Sequence, residues 1–310
     1  MLTTPMDVLN QFPVRKSKKQ KTVFLEAVQS YVNALGYETR IETGRYSARN
    51  LVIGDPETAN YLITAHYDTC AWLPFPNLSF PCHFLPFLGY QLFIAALILV
   101  VAVGFGLLAA LITHVAEIGQ LVGFAMVWII QLLMLRGPAN LHNANDNTSG
   151  VVTLLEILRS LPENQRSKVC FVLFDLEEAG LIGSGSYRKQ HKKATNRQLI
   201  LNLDCVGDGD HILFFPTKKL LKDSDKRKHL YKCCGNFGPK SVTVREKGFA
   251  FYPSDQKNFP YGVGICALRS GKFGLYLGKI HTARDNVLEQ TNVNILRAAL
   301  ISMISSDAAQ

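Results

Sequence analysis

The feature that most constrains this chain is a long stretch without charged residues in its first half. No Asp, Glu, Lys or Arg occurs from Thr69 to Val115 or from Ile118 to Leu135. Within it, 88–113 is a mostly apolar run of 26 residues and 118–135 a second run of 18. About 20 apolar residues in a helix cross the ~30 Å hydrocarbon core of a bilayer. We therefore predict two transmembrane helices joined by a tight turn at 114–117.

A pair of helices buried in a large soluble core is the alternative interpretation of this stretch. It is weaker, because a long helix that is apolar on every face is rare outside lipid. Gly104, Gly106 and Gly123 would let the two helices pack closely in a membrane. Residues 70–87, rich in proline and aromatic side chains, are predicted to be an irregular connector at the membrane interface.

The distribution of basic residues predicts how the hairpin is oriented. Five basic residues lie at 15–21 and Arg136 follows the second run, whereas the turn carries only Glu117. Basic residues favour the cytoplasmic side, so we expect an integral membrane protein with both termini and the catalytic domain in the cytoplasm. The absence of a signal-like start agrees with this. In that compartment we expect the seven cysteines to be free thiols.

Basic residues outnumber acidic ones, for a formal net charge of +9. Clusters at 15–21, 188–193 and 218–232 are suited to anionic lipid headgroups. No nucleic-acid-binding motif accompanies the charge, so we expect a lipid bilayer as a partner and no nucleic acid.

The rest of the chain alternates predicted strands and helices. We predict that 1–69 and 137–310 together form one domain into which 70–136 is inserted. The predicted helices are 17–35, 150–160, 185–191 and 293–305, and the predicted strands are 50–53, 61–65, 168–174, 199–203 and 211–215. This alternation indicates an α/β fold, a three-layer sandwich around a mixed, largely parallel central sheet.

Residues that can bind metals follow three of these strands. His66 and Asp68 follow the strand at 61–65, Glu177 and Glu178 the strand at 168–174, and Asp204 the strand at 199–203. Strand ends of this kind are where open α/β sheets place their sites. Each motif alone has a structural explanation, such as a helix cap or a solvated turn.

Two further residues, Asp146 and His281, lie in polar loops and complete the pattern. Two histidines and three carboxylates form a nitrogen and oxygen ligand set for two zinc ions that share one carboxylate. Glu177 is then left over as a base.

Five motifs, LITAHYDT, NANDNTSGVVTLLEIL, VLFDLEEAGLIGSGSY, LNLDCVG and HTARDN, occur in this order. Together they resemble the co-catalytic di-zinc aminopeptidases of metallopeptidase family 28. The resemblance implies that Asp146 bridges the two zinc ions. It implies that His66 and Asp204 complete one metal site, and that Glu178 and His281 complete the other.

The resemblance also implies roles in catalysis. Asp68 would orient His66, and Glu177 would be the general base that takes a proton from the bridging water and passes it to the leaving amine. Asp255 would belong to a substrate loop, although the residues that follow it depart from the family pattern. Asp285 would support His281 or act as a simple cap.

The activity implied is removal of N-terminal residues from peptides with a free N-terminus, with two Zn²⁺ as cofactors; Co²⁺ or Mn²⁺ also suit the ligands. The spacing from His66 to Asp146 is much longer than in soluble relatives because the hairpin is inserted there. We expect the hairpin to leave and return at neighbouring points and to hold the active-site edge near the bilayer. Membrane-associated peptides are then the expected substrates.

Two other functions stay open from the sequence. A glutaminyl cyclase shares this fold and similar motifs but uses one zinc ion, so metal stoichiometry separates it from a di-zinc peptidase. A non-catalytic scaffold on a peptidase fold would have lost ligands or the base, and here all are present. The preferred N-terminal residue and the natural peptide are not determined by the sequence.

Overall fold

The computed structural model describes residues 2–306, and its ten strands form one sheet. The strands are β1 Thr39–Thr43, β2 Arg49–Ile53, β3 Tyr61–His66, β4 Val169–Phe174, β5 Leu199–Leu203, β6 His211–Pro216, β7 Gly235–Phe237, β8 Lys240–Val244, β9 Gly262–Gly271 and β10 Gly274–Tyr276. The helices are α1 Asp7–Gln11, α2 Lys18–Ala34, α3 Phe84–Thr113, α4 Ala116–Arg136, α5 Gly150–Ser160, α6 Ile182–Gln190, α7 Lys192–Thr195, α8 Lys218–Lys222, α9 Ser224–Leu230 and α10 Gln290–Ser305.

The strand order is β1-β2-β4-β3-β5-β9-β6-β8-β7, with β10 paired to β9. The four central strands, β4, β3, β5 and β9, run parallel, and Ile63 of β3 lies opposite both Phe171 and Leu201. Antiparallel pairs flank this centre on both sides. The predicted mixed sheet with a largely parallel centre is therefore confirmed.

Alternate residues of the central strands point to opposite faces of the sheet, as the two-residue period of a strand requires. Ile63 and Ala65 belong to the larger core, which also contains buried residues of α2, α5 and α10. Leu62 faces the other side, where it belongs to a smaller core with Tyr187 of α6 and Phe259. Helices thus cover both faces, which confirms the three-layer sandwich.

Strand β9 was not predicted, although it lies between β5 and β6 in the sheet. Its first residues include Gly262 and Gly264, which weaken a sequence-based strand signal. The structure explains both glycines, because a Cβ at Gly262 would lie 2.1 Å from the carbonyl oxygen of Gln256. A Cβ at Gly264 would lie 2.6 Å from the side chain of the same glutamine. Close approach of the loop, and not strand propensity, selects these residues.

The two apolar runs form an antiparallel pair of helices, α3 and α4. Helix α3 begins at Phe84 and so takes in the last four residues of the predicted connector, which is a correction. Pro86 lies in its first turn, where a missing backbone N–H costs no helical hydrogen bond. The helices meet through glycines, since a Cβ at Gly106 would lie 2.7 Å from the carbonyl oxygen of Gly119.

Both helices are long and apolar enough to cross a membrane, and their outer surfaces are exposed. Only 11% of the most apolar window of α3 and 6% of that of α4 is buried. The core helix of a soluble protein is mostly buried, whereas these two helices are mostly exposed in the structure.

The segment that carries the hairpin leaves and returns at one place, as expected. Ala71 pairs with Ala139 in an isolated antiparallel bridge. Beside it, the amide of Trp72 donates a hydrogen bond of 2.8 Å to the carbonyl oxygen of Pro138. We call this paired base at Ala71 and Ala139 the neck of the hairpin; the start of α3 also packs on the catalytic domain, where Phe87 contacts Phe249 and Phe251.

The structure corrects the interpretation of the first basic cluster. Arg15 is fully buried and donates hydrogen bonds to the carbonyl oxygen of Tyr67 and the hydroxyl of Thr148. Lys21 is also buried and pairs with Asp175. These two cations stabilise the fold and are not available to lipid headgroups.

Part of the cluster at 218–232 lies at the amino ends of two central strands. Lys226, Lys228 and Lys232 line a pocket together with Tyr61 and Leu199, the first residues of β3 and β5. The hairpin follows the other end of β3, roughly 20 Å away for a strand of this length. These three lysines therefore lie away from the neck of the hairpin at Ala71 and Ala139, and contact of the cluster with lipid stays a prediction.

Candidate metal centre

Three adjacent strands bring the predicted ligands to one edge of the sheet. His66 is the last residue of β3, Asp204 directly follows β5, and Glu177 and Glu178 lie in the loop after β4. Because these strands run parallel and β3 lies between the other two, their carboxyl ends converge. Loops outside the strands supply Asp146, just before α5, and His281, after β10.

Asp146 lies between the two histidines and presents one oxygen to each. The Nε2 atom of His66 is 3.3 Å from Oδ1 of Asp146 and 3.7 Å from Oδ1 of Asp204. The Nε2 atom of His281 is 3.0 Å from Oδ2 of Asp146 and 3.6 Å from Oε2 of Glu178. The geometry brings all five predicted ligands together in two groups with a shared aspartate.

Asp68 holds the loop that carries the two glutamates. Its Oδ1 atom accepts a hydrogen bond of 3.0 Å from the amide of Glu177, and its Oδ2 atom one of 3.2 Å from the amide of Glu178. The same carboxylate is 3.6 Å from Nδ1 of His66, beyond a normal hydrogen bond. In the structure, Asp68 therefore positions Glu177 and Glu178 as well as lying beside His66.

Asp285 holds the loop of the shared aspartate. Its two carboxylate oxygens accept hydrogen bonds of 2.8 Å and 3.0 Å from the amides of Asn145 and Asp146. Both oxygens are thus used by the loop and not by His281. Asn147, next to Asp146 across a cis peptide bond, donates to the carbonyl oxygens of His66 and Leu203 and so fastens this loop to β3 and β5.

Burial and crowding of like charges shift the pKa values of the cluster. Burial raises the pKa of Glu178 to about 8 and that of Glu177 well above its usual value. Burial lowers the pKa of His281, but the charges of Glu178 and Asp146 outweigh it and raise that pKa to about 9. Without a further cation, the carboxylates can remain charged together only at high energetic cost.

One buried oxygen of the cluster, Oε1 of Glu178, has no hydrogen-bond partner within the described chain. Buried polar atoms are normally paired, so this unpaired oxygen beside an excess of carboxylates indicates that a cation belongs here. Nitrogen and oxygen donors of this kind suit zinc and related divalent ions. The residues present therefore fit a metal centre.

Asp255 lies in a buried polar cluster near the metal ligands. Its carboxylate accepts a hydrogen bond from the hydroxyl of Ser184, and it is fully buried. Burial raises its pKa to about 7. The charges of His66, Asp68 and Asp204 act on this carboxylate, which places it close to the metal ligands.

Sequence reasoning missed one residue that lies beside these ligands. Cys70, which is fully buried, places its Sγ atom with ligand atoms of Asp146, Glu178 and His281. The signal was its position four residues after His66, directly after the motif that ends at Thr69, but cysteine spacing alone does not distinguish it from the other thiols.

The sequence of this chain matches the model of one known protein family. A model of peptidase family M28 matches residues 131–303, which is more than half of the chain. No protein with a curated description has a matching sequence.

Similar solved structures include two peptidases and a cyclase. The LapA aminopeptidase of Legionella pneumophila superposes with a TM-score of 0.60 at 15% identity, over 99% of this chain and 72% of that one. A Zn-dependent exopeptidase of Parabacteroides distasonis superposes with a TM-score of 0.60 at 15% identity, over 96% of this chain and 94% of that one. A glutaminyl cyclase of Porphyromonas gingivalis also has a TM-score of 0.60 at 15% identity, over 98% of this chain and 96% of that one. At these identities the likeness establishes the fold alone.

Proposed function

The chain belongs to peptidase family M28, and from this membership and the geometry of the site we propose that it is a membrane-anchored aminopeptidase with two zinc ions. The observation that carries the proposal is the position of Asp146, with one oxygen toward His66 and the other toward His281. A carboxylate placed in this way can serve two metals at once.

The ligands divide into two sets. His66, Asp146 and Asp204 would hold one ion, and Asp146, Glu178 and His281 the other. When bound, the zinc ions supply polarisation of the scissile carbonyl and lower the pKa of water. Co²⁺ and Mn²⁺ are the substitutes that this donor set also accepts.

Glu177 is the general base in this proposal. It lies beside His66 and Glu178, with ligand atoms of the three within 4.8 Å of one another. Its raised pKa, caused mainly by burial, favours a carboxylate that accepts a proton from water and returns it to the leaving amine. Asp68 keeps it in place through the amide hydrogen bond described above.

The substrate is a peptide with a free N-terminus. Removal of terminal residues is the activity named for the similar exopeptidase structure, and the direction from the N-terminus is the one named for the similar aminopeptidase. Membrane anchoring is supported by the exposed apolar surfaces of α3 and α4 and by the neck at Ala71 and Ala139, close to the metal ligands. We propose that the catalytic domain, 1–69 with 137–310, faces the cytoplasm and acts on membrane-associated peptides.

A glutaminyl cyclase is the second candidate, because a cyclase structure matches as well as the peptidases do. The two functions differ in metal content, one zinc ion against two, and in product. The complete ligand set and the retained base favour the peptidase over a non-catalytic scaffold.

Mass spectrometry of peptide products tests the proposal. The detergent-purified chain is incubated with a mixed peptide set in free and N-acetylated forms, beside Glu177→Gln and an exposed control, Glu163→Gln. We expect stepwise loss of N-terminal residues from free peptides only, abolished by Glu177→Gln and unaffected by the control. Loss of ammonia from peptides with N-terminal Gln would identify a cyclase, and intact peptides throughout would favour a scaffold.

A further inference from the structure

Cys70 differs from the other buried cysteines in its surroundings. Five other thiols belong to the apolar clusters of the core: Cys82, Cys170, Cys205, Cys233 and Cys266. Cys70 belongs to none of these clusters although it is fully buried. Its Sγ atom instead groups with ligand atoms of Asp146, Glu178 and His281, all within 4.8 Å of one another. The thiol therefore faces metal-ligating side chains.

The arrangement suits one tetrahedral ion. With zinc–sulfur bonds of about 2.3 Å and zinc–nitrogen or zinc–oxygen bonds of about 2.0–2.2 Å, neighbouring ligand atoms lie roughly 3.3–3.8 Å apart. His281 Nε2 already lies 3.6 Å from Glu178 Oε2 and 3.0 Å from Asp146 Oδ2. The other distances in this group are at most 4.8 Å, so ligation requires these side chains to move closer together.

The backbone holds the thiol in place. The carbonyl oxygen of Cys70 accepts a hydrogen bond of 3.1 Å from the amide of Asn140. The preceding residue, Thr69, exchanges hydrogen bonds with the backbone of the buried Arg15. Cys70 thus lies at the start of the neck that leads to the hairpin, tied to the returning chain.

We propose that Cys70 is a fourth protein ligand of the ion held by Asp146, Glu178 and His281. This rests on the metal centre of the proposed function. Binding of the ion displaces the thiol proton to solvent, and the thiolate forms the bond to the metal.

The two metal sites would then differ in chemistry. Four protein donors close the site of Cys70, whereas His66, Asp146 and Asp204 leave an open position at the other. A thiolate also favours zinc and cobalt over manganese at the closed site. The open site is the one that water and substrate can enter.

Cobalt absorption tests this assignment without relying on turnover. The metal-free full-length chain in detergent is titrated with cobalt(II) chloride, and a near-ultraviolet sulfur-to-cobalt charge-transfer band reports a thiolate ligand. We expect the band in the natural sequence, its loss in Cys70→Ser, and weakening of one cobalt equivalent by more than about tenfold in that variant. Cys205→Ser is the matched control, since Cys205 is equally buried and adjoins the ligand Asp204; it should keep the band.

Each other result has a definite meaning. Cobalt binding without the band, or a band that survives Cys70→Ser, overturns the assignment while leaving the peptidase proposal intact. Absence of cobalt binding overturns both. A Cys70-dependent band without peptide cleavage in the parallel assay supports Cys70 as a ligand and contradicts the aminopeptidase.

Discussion

Ala71 and Ala139 form an antiparallel bridge that closes the base of the hairpin segment. Cys70 precedes this bridge and Asp146 follows it within one loop, so the hairpin and the metal centre share a short stretch of chain. The connector that follows the neck packs against the catalytic domain, as the antiparallel bridge between Ser79 and Leu277 shows. The hairpin proper can therefore be removed while its base is kept.

Replacing residues 88–135 by a short Gly-Ser linker tests the membrane anchor. The ends of two packed antiparallel helices lie about 8–10 Å apart, so a few residues close the gap. We expect the full chain in the membrane fraction and the shortened chain in the aqueous fraction, with metal content unchanged. Short soluble peptides should be cleaved equally, whereas bilayer-bound peptides should be cleaved more slowly by the shortened chain. Equal activity on both would count against substrate selection by the anchor.

Gly106 and Gly104 provide a matched pair inside the hairpin. Gly106→Leu places a Cβ 2.7 Å from the carbonyl oxygen of Gly119, while nothing lies within 4 Å of a Cβ at Gly104. We expect Gly106→Leu to destabilise helix pairing by about 1–3 kcal/mol and Gly104→Leu to have little effect. Fluorescence of Trp128 during SDS titration, in a Trp72→Phe background, measures this. Equal sensitivity of the two positions would contradict the packing described.

Asp285→Asn tests the support of the shared ligand. The asparagine amide has one acceptor where the carboxylate has two, so one of the amides of Asn145 and Asp146 loses its partner. We expect zinc affinity, measured by competition with a chelator, to fall about 10–100-fold. Asp210→Asn, at a more exposed carboxylate, should not alter it. Unchanged affinity in Asp285→Asn would show that the loop keeps its position without this support.

His191 predicts a pH dependence of stability away from the metal centre. Its hydrogen bond to Glu42, aided by Glu57, raises its pKa, although burial opposes the shift. Because folding raises this pKa, protonation of His191 stabilises the folded state fully at a pH below the pKa of the unfolded chain, about 6.5. This stabilisation disappears as the pH rises through the pKa of the folded state. For a partly exposed pair we expect about 0.2–1 kcal/mol.

The measurement is the thermal midpoint near pH 6 and near pH 9, in detergent. The thermal midpoint of the natural sequence should fall further from pH 6 to pH 9 than that of His191→Gln. The control variant His211→Gln should show the same fall as the natural sequence. An identical loss in all three would assign the pH dependence to other groups.

Local sequence patterns were sufficient for much of this protein. The helix at 150–160 has the predicted bounds, and the strands before His66, Glu177 and Asp204 appear where alternation of apolar and polar segments placed them. Each pattern depends on neighbours in the chain, which the sequence contains. The two apolar helices were also predictable from local sequence, because the composition of some 20 consecutive residues is a local property.

Other features depend on residues that meet only in the folded chain. The sequence predicts that Arg15 and Lys21 are solvated cations, yet both are buried. Their acceptors, Thr148 for Arg15 and Asp175 for Lys21, lie more than a hundred positions away in the chain. Likewise Cys70 becomes a candidate ligand only where Glu178 and His281 converge on it. The sequence by itself determined which residues could bind metal and which stretch is apolar. The tertiary structure decided which charges are buried and which thiol faces the site, since burial and metal geometry are set by distances between segments that sequence order does not specify.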